Sequence, residues 1–116
     1  MRASWFVLAL ALSACLPSDA ETLDMESCPP DSELTWDNFG GAFLASHCQR
    51  CHASDAEDRN GAPTSYTFDS ADQVRELSER IFVRAAGDNT SMPPGPDDPP
   101  AEERELLAEW LACGAP

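Results

Sequence analysis

The chain has no lysine, so its positive charge rests on 7 arginines against 21 acidic residues, a net charge of -14 at pH 7. A surface this acidic repels phosphate backbones and excludes nucleic acid as a partner. If docking is electrostatic, the partner needs a basic face; an acidic coat that docks nothing would carry the same charge. Histidine is nearly as scarce, with His47 and His52 alone in the chain. The longest apolar run, 5–12, is too short to span a bilayer. No strand pattern of any strength and no internal repeat is visible. At 116 residues the chain makes one small domain, and side chains alone would give it a marginal core.

What is present is concentrated in five residues. Cys48-Gln49-Arg50-Cys51-His52 reads C-x-x-C-H, the spacing that attaches a c-type haem. Two thiols on neighbouring turns can add across the two vinyl groups, and the following imidazole can reach the iron from one face. A dithiol redox pair belongs beside a β-α-β pattern, which is missing here. A tetrahedral zinc site needs ligands that wrap the ion, and His47, Cys48, Cys51 and His52 are too crowded for that.

A second axial ligand is found by elimination. His47 stands on the same side as the attachment helix, Met1 lies in the leader and Met25 in a polar stretch. Met92 remains, in Ser91-Met92-Pro93-Pro94-Gly95. Prolines fix the backbone around it, and a thioether stabilises reduced iron. Methionine more often fills a gap in a core, but a proline-rich loop is an odd place for that. Pro63 is a candidate for supplying a carbonyl, its own or the preceding one, to the His52 ring N–H. Arg59, Tyr66 and Arg84 are candidates for meeting a propionate. Phe43, Phe68, Ile81 and Trp110 are expected to pack on the haem or in the core.

The start of the chain reads as a targeting segment. Arg2, the run 5–12 and Leu12-Ser13-Ala14-Cys15 together resemble a bacterial lipoprotein leader. On that resemblance 1–14 is removed and Cys15 carries lipid. Ordinary secretion, with cleavage after Ser18-Asp19-Ala20, is the competing reading. Either way the chain is exported, to the periplasmic side of a membrane if bacterial. With Cys48 and Cys51 assigned to haem and Cys15 to lipid, Cys28 and Cys113 remain. An oxidising compartment permits a disulfide between them. The polar stretch 15–34 reads as an acidic tether, pinned in its later part by Cys28.

Three helices are expected in 35–116. The first covers 35–48, capped by Thr35 or Asp37, with Trp36, Phe39, Phe43 and Leu44 on one face. Gly40 and Gly41 in its interior imply a close crossing by another helix. The second covers 70–86, opened by a Ser70/Gln73 capping box, with Val74, Leu77, Ile81 and Ala85 inward and Gly87 as terminator. Five prolines make 93–100 stiff and extended. Pro100 opens the last helix, whose stripe is Leu106, Leu107, Trp110 and Leu111, and Gly114 ends it.

Over 35–116 the chain resembles a class I cytochrome c of the small bacterial type. The motif Cys48-x-x-Cys51-His52 after a helix bearing Gly40, the Met92-Pro93 loop, and a final helix carrying Trp110 are what match. The resemblance implies an all-α fold of three to four helices around one covalent haem c, with His52 and Met92 on the iron and one exposed haem edge. It implies a carrier of single electrons between redox proteins, not an enzyme; with the lipoprotein leader, the chain is expected to be a monomer held to the membrane by the lipid on Cys15 alone. A ligand-binding sensor module and an electron-entry subunit of a larger oxidoreductase are the alternatives. The family's mitochondrial members ring that edge with lysines; this chain has none, so their docking partners do not carry over.

Overall fold

A computed structural model describes residues 21–116. The leader 1–14 and Cys15 lie outside the described residues. Within 21–116 the chain is helical, with no strand. No helix there is long and apolar enough to cross a membrane.

Thr35 opens the first helical unit through a full capping box: its hydroxyl accepts from Asn38 N–H, and the Asn38 side chain accepts from Thr35 N–H. The first turn, Trp36–Gly40, is π-wound. It runs directly into α1 (Gly41–His47). Cys48 breaks the helical path, and a single turn, α2 (Gln49–His52), follows.

The expected helix over 70–86 exists as two. Ser70 and Gln73 form the capping box that starts α3 (Ala71–Glu76). Leu77 then leaves helical geometry, at φ -105° and ψ 9°, and α4 (Ser78–Ala85) resumes beyond it. Gly87 follows at φ 55°, the left-handed conformation a terminator needs. The proline segment is a chain of bends rather than an extended rod, helped by Gly95 at φ 78°. Pro100 caps α5 (Ala101–Ala112), and Gly114 takes φ 87° just after it.

These helices share one core of Phe43, Leu44, Val74, Phe82, Leu107, Trp110 and Leu111. Trp110 is fully buried, and a Cβ added to Gly40 would overlap its indole. Gly40 is therefore the point at which α5 crosses the first helical unit. Trp36 and Phe39 close around the same indole, with ring centroids 6.3 and 6.1 Å away. The stripe of α5 is rotated from the expected one. Leu106 is exposed, and Arg104 is buried in line with Leu107, Ala108 and Leu111. The tail folds back so that Trp36 N–H and Trp110 Nε1–H both donate to Pro116 O.

The stretch 21–34 lies on the domain. Leu23 and Leu34 pack against the core, and the Asn89 side chain donates to Glu21 O at 3.1 Å. Cys28 and Cys113 form a disulfide with Cα atoms 4.7 Å apart. Composition hid this docking because two leucines and one cysteine anchor an otherwise polar segment.

Candidate functional site

Cys48, Cys51 and His52 sit where α1 gives way to α2. Cys51 and His52 N–H both donate to Cys48 O, at 3.1 and 3.0 Å, which winds the motif into one tight turn. Both thiols are free, since the disulfide has taken Cys28 and Cys113. Burial pushes the Cys48 thiol up to about 12; the Arg104 guanidinium opposes the rise and the Cys51 thiol adds to it.

The His52 ring is held on two sides. Phe68 stacks on it, with centroids 4.5 Å apart and planes 17° from parallel. Its Nδ1 lies 2.8 Å from Tyr66 O, so Nδ1 carries the proton and donates. That leaves Nε2 as the basic nitrogen, with no hydrogen-bond partner among the described residues. The Phe68 backbone N–H returns to His52 O at 3.1 Å and fixes the loop against the helix.

The acceptor for His52 is thus Tyr66 O, and this corrects the reading of Pro63. Pro63 O accepts from Tyr66 N–H at 3.0 Å and from Arg59 Nη2 at 2.9 Å. Its part is to form the turn that presents Tyr66. Arg59 donates to four carbonyls of this loop: Ala53, Ala62, Pro63 and Tyr66. Arg80 lies over the Tyr66 ring at 5.9 Å.

His47 is engaged elsewhere. Its Nε2 meets Glu103 Oε2 at 2.9 Å and ties α1 to the first turn of α5. Phe43 packs against its ring, with centroids 4.9 Å apart.

Met92 is gripped by its backbone. Its N–H donates to Arg84 O at 2.8 Å, and its carbonyl accepts from Arg104 Nη1 at 2.8 Å. The residue is 38 % exposed. Arg104 Nη1 also donates to Ala85 O and Asn89 O, so one guanidinium collects the loop from α4 to Met92. Arg104 itself is 4 % exposed, and its Nη2 is buried without a partner. The apolar stripe expected for α5, Leu106, Leu107, Trp110 and Leu111, leaves Arg104 out. Its i, i+3, i+4 and i+7 relation to Leu107, Ala108 and Leu111 was the available signal.

The residues suit a covalently bound haem. Cys48 and Cys51 would take the two thioether bonds, and His52 Nε2 would face the iron with its tautomer already fixed. Met92 sits in a restrained loop, and Arg104 brings a buried, unpaired donor near Cys48, where an acceptor would satisfy it. Among the described residues no three His, Cys, Asp or Glu side chains converge as a closed metal cage would require. No family model, curated protein or solved structure matches this chain.

Proposed function

We propose that this chain is a mono-haem c-type cytochrome that carries single electrons between proteins, with His52 and Met92 as axial ligands. The observation that carries this reading is the state of His52. One residue after two free thiols stands an imidazole with its Nδ1 proton committed to a carbonyl and the Nε2 lone pair left unengaged. A carbonyl on Nδ1 fixes the tautomer and leaves Nε2 unprotonated, which is the arrangement metal-ligating histidines take. Bound haem c would supply an iron that accepts and releases one electron. The protein's own residues fix the ligand orientation, bury the ring and hold the Met92 loop.

The carrier works at the periplasmic side of a membrane, anchored by lipid on Cys15. Its acidic surface meets redox partners through a basic face. It acts as a monomer and has no substrate of its own. The exposure of Met92 favours one second reading. If Met92 leaves the iron readily, the open position would bind a small ligand and the module would act as a sensor.

The test is production of the full chain in a host with an active haem-attachment system. Intact mass should show one covalent haem, lost in C48A/C51A. The ferric spectrum should show a weak far-red charge-transfer band that M92A abolishes. Unmodified thiols would sink the carrier reading, and covalent haem without that band would favour the sensor.

A further inference from the structure

Arg59 makes more contacts with the His52 loop than a surface arginine needs. Its Nε donates to Ala62 O at 3.1 Å, Nη1 to Ala53 O at 2.6 Å, and Nη2 to Pro63 O at 2.9 Å and Tyr66 O at 3.3 Å. Tyr66 O is the same atom that accepts from His52 Nδ1 at 2.8 Å. One carbonyl oxygen therefore serves an imidazole and a guanidinium together. Arg59 is half-buried, and among the described residues it forms no ion pair.

We propose that Arg59 is a positioning residue that sets the donor strength of His52, by competing with the imidazole for Tyr66 O and by placing an unpaired positive charge behind it. The inference rests on the haem reading of the site. The physics has one sign. A carbonyl acting alone pulls on the Nδ1 proton and makes Nε2 more basic, which favours ferric iron. A carbonyl shared with a guanidinium pulls less. The charge of Arg59, two hydrogen bonds from the ring, likewise disfavours the more positive ferric state. Both effects raise the reduction potential.

The other three bonds give the residue its precision. They tie Ala53, at the end of α2, to Ala62 and Pro63, before the turn that carries Tyr66. The distance from the imidazole to its acceptor is thereby fixed from both ends. Lysine keeps the charge but cannot fork across these carbonyls. Methionine removes charge and hydrogen bonds while keeping most of the volume.

The experiment compares wild type, R59K and R59M as full-length holo-proteins. The readouts are midpoint potential and the proton chemical shift of His52 Nδ1–H. R59M should lower the potential, with at least a threefold change in the equilibrium constant against a fixed redox dye. R59K should fall between R59M and wild type. In R59M the Nδ1 proton should move downfield, because Tyr66 O then serves the imidazole alone. An upfield shift would mean that Arg59 only staples the loop, and would overturn the inference. So would unchanged potentials in both variants. If R59M yields no holo-protein, R59K decides alone: an unchanged potential refutes the inference and a lowered one supports it. Wild type without covalent haem would overturn the haem reading first and this inference with it.

Discussion

The fold shields the Cys48 thiol of the motif turn. Cys48 lies against the core, and burial holds its thiol protonated up to about 12, with Arg104 opposing and Cys51 adding. The thiolate is the form that reacts. In haem-free protein at pH 8, alkylation of folded Cys48 should be slower than in the urea-unfolded chain by at least about tenfold. Timed iodoacetamide labelling with peptide mass mapping reads this directly, and equal rates in both states would refute it. The same shift has a stability consequence of defined sign. Between about 9 and 12 the unfolded chain has released this proton and the folded one keeps it. Stability of the haem-free protein therefore falls as pH rises through that window, and this thiol adds no slope below it.

Helix boundaries were written in local chemistry. The Thr35 and Ser70 caps, Pro100 before α5, and Gly87 and Gly114 beyond helix ends stand where their side chains or backbone freedom predict. The break at Leu77 had no such marker. The apolar spacing of Val74, Leu77, Ile81 and Ala85 runs straight through it, and neither proline nor glycine stands there. Leu106 was expected inward and Arg104 was left out of the stripe for a related reason. A stripe drawn through the most apolar residues cannot register a guanidinium that enters the interior to gather backbone carbonyls. At the candidate site the single turn that joins Cys48, Cys51 and His52 was legible in their spacing. Tyr66 O was not, because a backbone acceptor leaves no mark on residue type. The crossing of α5 over Gly40 was anticipated by glycine in a helix interior, and it gives a direct test. In G40A the new methyl meets the Trp110 ring, which is fully buried and hemmed in by Trp36 and Phe39. Overpacking of this kind should cost about 1–3 kcal/mol. The expected observation is a lower urea midpoint at unchanged slope; an unchanged midpoint would show that the helices separate freely.

The molecule as a whole is built from short pieces. Among the described residues the longest helix, α5, has 12 residues, and α2 has 4. Such elements are not stable alone and depend on tertiary packing. The Cys28–Cys113 bond acts at this scale. It joins the segment before the first helix to the end of the last one, across 85 residues of sequence. Closing a loop of that length restricts the unfolded chain by about 4–5 kcal/mol in the entropic account. The bond also holds the 21–34 segment over α4 and α5, where Glu21 meets the loop that leads to Met92. C28S/C113S should therefore lose about 2–5 kcal/mol, or roughly 10 °C or more in Tm for a domain of this size. Hydrogen exchange should locate the first consequence at Asp88 N–H, which donates to Glu21. Faster exchange there, with α1 still protected, would mean that the segment is released before the core opens. A Tm equal to that of the parent would mean that packing of Leu23 and Leu34 alone fixes the segment and that the bond adds nothing to the folded state.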